Sequence, residues 1–340
     1  MTFRRETIVG VLYNVPVLDL DHPDSGSESD VVEVAQWITD SLVRSGFSAS
    51  LLPASRPLSR WVFELESKRP DVVFNLIEGF AGQTAAEPTI TGILSLLGIP
   101  YTGCPPESQS LCLSKSRTKS LLLGLGLPTA KSFTVHEKES IADALPFAGP
   151  YFVKPDAEDA SLGIDEGSVI EEVSAVRARI EQLREEYGGS VVVEAYLPGA
   201  EFNVGVLDLS GPVTLPIAQV KYTVQPDQWP ILTYQAKWDI GSAADVRSPI
   251  HCPAEIAPEL ENELRRLAIA AFRGTGCRDV ARIDFRLDAS GGPMILEVNP
   301  NPDLGPTAGW ARALAVSDRQ YDETIAALVD QALRRGGSRG

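Results

Sequence analysis

Residues 281–303, ARIDFRLDASGGPMILEVNPNPD, hold the densest grouping of side chains able to do chemistry. Strand alternation puts Arg282, Asp284 and Arg286 on one face and Ile283 and Phe285 on the other. In the strand that follows, Ile295, Glu297 and Asn299 share a face. If the DASGGP turn closes a hairpin with Asp288 opposite Pro293, Asp284 falls opposite Glu297 and Arg282 opposite Asn299. Two carboxylates held as cross-strand neighbours repel unless a cation lies between them. Two carboxylates and an amide oxygen are hard ligands of the kind magnesium takes while it holds substrate phosphates. Arg282 beside them suits a phosphate or a developing oxyanion. The plainer alternative is a surface hairpin with solvated charges, in which Arg282 and Asp284 form a salt bridge.

The elements that must position this hairpin come in three groups. IVGVLYN (8–14), SASLLPA (48–54) and DVVFNLIEG (71–79) read as strands, with IPYTG returning as a further strand. Helical patterns at 30–45, near 57–68 and at 89–98 alternate with them. Asp30 and Glu33 have the spacing of a capping box and Gly46 ends that helix. Strands alternating with helices predict a parallel α/β lobe over 1–105, with ligands at the carboxyl ends of its strands. A central lobe over 106–190 carries a helix at 114–124 with Lys115 and Lys119, strands 131–135 and 151–155 and a helix at 171–187, and a strand at 190–197 leads out of it. The third lobe, 191–335, holds FNVGVLDL, VTLPIAQV, a helix at 258–273, the hairpin and a closing helix at 321–335. Residues 336–340 read as a flexible tail.

Bulk properties narrow the chemistry. A net charge of −16 argues against nucleic acid, which needs clustered Lys and Arg. It leaves room for a nucleotide held by a few placed cations and a metal. Three histidines that stand apart, His22, His136 and His251, make a zinc site or a serine–histidine machine a poor fit. Cys104, Cys112, Cys252 and Cys277 lack CxxC spacing, which favours a reduced, cytoplasmic protein. No apolar run reaches the length of a membrane span, and the N-terminus has no signal-peptide pattern.

R-x-D, thirteen residues from Asp284 to Glu297, then E-x-N, is similar to the metal signature of ATP-grasp ligases. FNLIEG (74–79), GIPYTG (98–103), LSKSRTKSLLLGLGLPT (113–129), FVKPDAEDASLG (152–163), VEAYLPGAEFNV (193–204), YQAKW (234–238) and LEVNPNPD (296–303) follow in order. With them the chain resembles the D-alanine–D-alanine ligase branch of the ATP-grasp superfamily over nearly its whole length. The resemblance implies an α/β protein with α+β lobes, an ATP-grasp fold behind an N-terminal parallel α/β domain. It implies an enzyme that uses ATP and two Mg2+ ions, with Mn2+ as a substitute, to join a carboxylate to an amine through an acyl phosphate. The substrates would be amino acids or their derivatives, and the family is dimeric.

Position by position, the resemblance sets Lys115 and Lys154 on the ATP phosphates and Ser161 in the loop that folds over them. Glu194, with the backbone of Ala195 and Leu197, would recognise adenine, and Glu201 the ribose. Lys237 would approach the γ-phosphate. Asp284, Glu297 and Asn299 would bind the metals, and Arg282 would steady the tetrahedral intermediate. Glu28, whose spacing before Gly46 departs slightly from the family's, would face the first substrate's amine. Plain readings stand beside these: Lys115 and Lys119 as solvated helix charges, Lys154 buried against a carboxylate, Glu194 and Glu201 as strand-edge solubility residues.

The departures from the family fall at the amino-acid sites. NVPVLDLDHPDSGSESD (14–30) replaces the glycine-rich opening, Glu78-Gly79 stands for His-Gly, and Ala160 for a loop serine. Trp238 replaces a tyrosine, and Ala308 the serine that grips the second substrate's carboxylate. These changes predict a product other than D-alanyl-D-alanine. Asp156, Glu158 and Asp159 would repel a triphosphate unless they point away, bind metal or meet a basic amine. An ATP-grasp kinase and a non-catalytic ATP-binding module are the alternatives.

Overall fold

The computed structural model describes residues 6–18, 25–141, 144–223, 225, 228–239 and 241–337. The first sheet is parallel, with strand order β2 (Ser48–Ala54), β1 (Ile8–Asn14), β3 (Val72–Asn75). Alternation splits its side chains between two cores. Val9, Val11, Val72 and Phe74 pack with α1 (Ser25–Arg44) on one face. Leu12, Leu52 and Val73 pack with α2 (Leu58–Lys68) and α3 (Glu87–Leu96) on the other. Burial on both faces explains the nearly continuous apolar runs of these strands. The expected strand at IPYTG is reduced to a single parallel bridge from Tyr101 to Val73.

Helix α1 begins at Ser25, so Asp30 and Glu33 stand inside it and form no capping box. Its apolar stripe of Val31, Val34, Ala35, Ile38 and Leu42 anchors the helix to the sheet, and the polar turn before Asp30 continues it. The backbone of Glu28 lies in this helix, but its side chain, like much of the 14–30 opening, lies outside the described residues.

Helices α4 (Pro106–Leu113) and α5 (Lys115–Gly124) lead to β4 (Ser132–Val135). Then follow β5 (Tyr151–Pro155), β6 (Val169–Ile170), α6 (Val173–Tyr187) and β7 (Val191–Ala195), which form an antiparallel sheet of order β4-β7-β5-β6. Tyr151, Val153, Val191 and Val193 face α6. Phe152, two residues before Lys154, sits opposite Glu194 on the other face.

The last sheet has β8 (Glu201–Asp208) at its centre; β9 (Pro212–Thr214) and β10 (Ala218–Val220) pair with it, and β11 (Ile250–His251) pairs with β10. Short helices α7 (Tyr234–Trp238) and α8 (Ala243–Val246) precede β11; α9 (Pro258–Gly274), β12 (Val280–Leu287) and β13 (Pro293–Asn299) follow it. Phe202, Val204, Val206, Ile283 and Phe285 form a core with α9, to which α4 and α5 add Cys112 and Leu122. Helix α10 (Gly309–Val316), absent from the sequence reading, and α11 (Tyr321–Gly337) pack against the N-terminal sheet through Leu314, Ile325, Leu328 and Val329. Gly336 and Gly337 continue α11 where a tail was expected, and 338–340 lie outside the described residues. Among the described residues no helix is long and apolar enough to cross a membrane.

Candidate active site

Two sheets turn their polar faces, and the N-terminal sheet the carboxyl ends of its strands, toward one cavity of about 1320 Å³. Its floor comes from β8, β12 and β13. Glu201 pairs with Arg286, Asn203 with Asp284 and Gly205 with Arg282, all on the face opposite the core. On β13, Asp284 stands opposite Glu297 and Arg282 opposite Asn299, the register expected from the sequence. The turn achieves it differently: Pro293 pairs with Leu287, not Asp288, and a bulge between Asp284 and Phe285 restores the alignment. Asp288 stays in the turn because its Oδ1 accepts the amides of Ser290 and Gly292, at 2.8 and 2.9 Å. The bulge also sends Ile295 into the core, so it does not share the face of Glu297 and Asn299, while Leu296 joins the cavity wall.

Arg282 grips Asp284 with Nε and Nη2, each 2.8 Å from a different oxygen, and Asn203 Nδ2 lies 2.8 Å from Oδ1. The salt bridge read as the plain alternative is therefore present, but it lines a cavity floor rather than a solvated surface. Glu297 faces Lys115 at 4.0 Å. Burial acts to raise its pKa, but Lys115, Lys154, Arg282 and Lys237 outweigh this and hold it at about 2. A carboxylate kept ionised among four cations is set to share them with an anion. Among the described residues no three His, Cys, Asp or Glu side chains converge as a metal site. A metal here would rest on two carboxylates and an amide, Asp284, Glu297 and Asn299. Carboxylate oxygens with lone pairs beyond those used by Arg282 and Asn203 fit a hard divalent ion.

The plain alternative of solvated helix lysines does not hold, for both are buried. Lys115 is 5% exposed and Lys119 2%, because α5 packs its charged side under the loop after β5. Lys115 donates to the Glu158 carbonyl and sits 3.6 Å from Asp159. Its burial opposes the charge, but Asp159 and Glu297 win and raise its pKa. Glu194 lies 3.1 Å from both Lys119 and Lys154, a matched buried triad. Its carboxylate thus holds two ammonium groups beside the cavity instead of standing at an edge. Glu201 accepts from Tyr222 at 2.7 Å and lies 3.5 Å from Arg286, whose guanidinium stacks 5.0 Å from the Tyr196 ring. Ala195 and Leu197 line the same end, although the Ala195 amide already donates to Lys131.

The loop after β5 is not a row of acids facing a ligand. Asp156 accepts from the Ser116 amide at 2.7 Å and from the Ser114 and Ser116 hydroxyls, capping α5. Asp159 meets Lys115. Ala160 and Ser161 both take left-handed backbone, at φ 56° and 65°, which non-glycine residues rarely adopt, and Ser161 lines the cavity. Trp238 Nε1 donates to the Ala160 carbonyl at 3.0 Å, tying α7 to this loop. Lys237 on α7 projects into the cavity, its ammonium 4.9 Å from the Trp238 ring. Burial, with Arg282 nearby, lowers its pKa against the pull of Glu78, Glu297 and Asp303.

The far end of the cavity lies at the carboxyl ends of β1 and β3. Asn14 Oδ1 accepts the Glu78 amide at 3.1 Å, and Asn301 reaches the Ile77 carbonyl at 2.6 Å. Here stand Asp30, Glu33, Glu78, Glu87 and Asp303. The sequence reading marked Glu78 as a departure but gave no role to Glu87, Lys119, Arg286 or Trp310. For Lys119 the signal was its place one helical turn beyond Lys115. Ala308 lines the cavity next to Trp310, whose indole N–H is buried and unpaired.

This architecture is an ATP-grasp fold. It aligns with the crystal structure of D-alanine–D-alanine ligase from Bacillus anthracis complexed with ATP at a TM-score of 0.75 and 18% identity, over 98% of this chain and 100% of the other. The model of the D-ala D-ala ligase C-terminus matches residues 123–330. A D-alanine–D-alanine ligase of Chelativorans sp. (strain BNC1) is 33% identical over 274 residues, covering 79% of this chain and 82% of the relative. An uncharacterized protein of Sinorhizobium fredii (strain NGR234) is 33% identical over 264 residues, covering 78% and 75%. The chain belongs to the D-alanine–D-alanine ligase family and is an ADP-forming ligase of C–N bonds.

Proposed function

We propose that the protein joins a carboxylate to an amine at the expense of ATP, on substrates other than two D-alanines. The observation that carries this reading is the cluster on the cavity floor: Asp284, Glu297 and Asn299 among Lys115, Lys154, Lys237 and Arg282. Such a cluster suits a triphosphate whose charge builds during phosphoryl transfer. ATP would place its phosphates against Lys115 and Lys154 and beneath Ser161. Its base would lie by Glu194, Ala195 and Leu197, and its ribose by Glu201. Mg2+, held by Asp284, Glu297 and Asn299, supplies further neutralisation of phosphate oxygens when bound.

A substrate carboxylate oxygen attacks the γ-phosphorus and the bond to ADP breaks, with Lys237 and Lys115 facing the transferred group. The amine nitrogen then attacks the acyl carbon, the carbon–oxygen bond to phosphate breaks, and the nitrogen loses a proton. Arg282, fixed by Asp284, stabilises the oxyanion. No side-chain nucleophile is needed, in keeping with four unpaired cysteines of which three are buried. A homodimer and a cytoplasmic setting belong to the same proposal.

D-alanyl-D-alanine is disfavoured because Ala308 offers no hydrogen bond to a carboxylate and acidic groups crowd the substrate end. A missing donor of that kind costs about 1–3 kcal/mol. The test is magnesium-dependent release of ADP and phosphate across pairs of amino acids and amines, with Asp284→Ala as blank. ADP without free phosphate would replace the ligase with a kinase, and ATP binding without turnover would leave a binding module.

A further inference from the structure

Phosphate and metal chemistry leave the buried guanidinium of Arg286 on the cavity wall without a part. Burying such a cation is costly unless its donors are met, and here four separate stretches of chain meet them. Nε donates to the Gly199 carbonyl at 3.1 Å. Nη2 donates to the Tyr196 hydroxyl at 3.0 Å and to the Pro230 carbonyl, and Nη1 lies 3.5 Å from Glu201 Oε2. The planar cation also packs on two phenol rings, its central carbon 5.0 Å from the Tyr196 centroid and 5.6 Å from that of Tyr222.

A second observation concerns the two oxygens of Glu201, which differ. The Tyr222 hydroxyl donates to Oε2 at 2.7 Å, so hydroxyl and guanidinium fall on the same oxygen. No described residue donates to Oε1, and that oxygen stays open to the cavity that Glu201 lines. A carboxylate fixed by one oxygen presents the other as an acceptor of set direction. Without those two contacts Glu201 would turn about its side-chain torsions, and a ligand would have to order it on binding. Arg286 and Tyr222 have removed that freedom in advance. Lysine could not replace the arginine, because only a planar fork reaches Gly199, Tyr196, Pro230 and Glu201 together.

We infer that Arg286, with Tyr222, is a positioning residue for sugar recognition: it fixes Glu201 so that Oε1 accepts from a ribose hydroxyl, which gives the site a preference for nucleotides that keep their sugar hydroxyls. This deepens the proposed function and rests on the nucleotide placement given there.

The experiment is calorimetric binding of ADP and of 2′,3′-dideoxyADP, each with magnesium, to the full chain and to its Tyr222→Phe and Arg286→Met variants. The native protein is expected to bind ADP roughly tenfold or more tightly than the dideoxy nucleotide. Each substitution should cut that ratio roughly threefold or more, by weakening ADP while dideoxyADP binds nearly as before. Tyr222→Phe keeps a ring against Arg286 and removes only the hydroxyl, so it decides the matter even where Arg286→Met fails to fold. Equal weakening of both nucleotides would make Arg286 and Tyr222 a structural clamp and overturn the inference. A ratio that Tyr222→Phe leaves unmoved, or a native protein that binds the two nucleotides alike, would overturn it too. The expected ratios without phosphate release in any substrate mixture would leave the inference standing and remove the proposed ligation.

Discussion

The two ends of the cavity solve the same electrostatic problem in opposite ways. At the end proposed for the nucleotide, Glu194 and Glu201 carry built-in cations, in the Lys119–Glu194–Lys154 triad and the Glu201–Arg286 pair. The cations near Glu297 are held in place before any ligand arrives. At the substrate end Asp30, Glu33, Glu78 and Asp303 stand together with Lys237 as their main opposing charge. Burial, Asp303 and Glu33 raise Asp30 to about 6. Charges matched inside the protein preserve a site for one invariant ligand. Unmatched charges leave the matching to a ligand, and that is where a family can change what it binds.

The sharpest way to break this comparison is at the floor between the ends. Glu297→Ala should abolish ADP release, a loss of roughly a thousandfold or more, since it removes a proposed metal oxygen. Turnover retained within tenfold in a coupled assay would remove Glu297 from the chemistry. Next, Lys119→Met tests the built-in matching. It leaves Glu194 with one partner, and breaking a buried pair costs about 3–5 kcal/mol. Urea denaturation should show the loss, and an unchanged midpoint would mean the triad is not held as described.

At the substrate end the sign reverses, and pH reveals it. Glu78 faces Asp30, Asp303, Asp159 and Lys237, and its pKa rises from 4.5 to about 8 on folding. Below the lower value it is protonated in both folded and unfolded chains. Between the two the unfolded chain ionises while the folded one keeps its proton, so stability falls as pH rises. Glu78→Gln should therefore gain melting temperature over the native protein as pH goes from 5 to 9. A constant difference across that range would contradict the unmatched carboxylate.

The smallest effect concerns the acidic loop. Asp156→Asn weakens the cap on α5, by about 1 kcal/mol, yet should leave the order of preferred substrates untouched. A changed preference would return substrate recognition to that loop.

How much of this the sequence carried differs between the two ends for a physical reason. Local signals sufficed for β1, β2, β5 and the hairpin, because period-two burial and turn residues fix them within a few positions. The pairing of Asp284 with Glu297 followed from such local counting, although the bulge that secures it did not. Solvated helix charges were the plain alternative for Lys115 and Lys119, and only the packing of α5 under the β5 loop shows them buried. The acids of 156–159 drew attention because they are adjacent in sequence, yet Asp156 turns inward to cap a helix. Asp30, Glu78, Glu87 and Asp303 are spread over more than 270 residues of chain, so no spacing could reveal their convergence. Capping boxes are equally blind to context: Asp30 and Glu33 had the right interval but stood inside a helix that began at Ser25.

The central claim is that the nucleotide end is kept while the substrate end is rebuilt. The most direct test is simultaneous measurement of ADP and free phosphate with D-alanine alone, and with pairs of other amino acids and amines. Matched release of both products with at least one such pair, with D-alanine alone no better than the Asp284→Ala blank, is the result expected. Full turnover on D-alanine alone would contradict it.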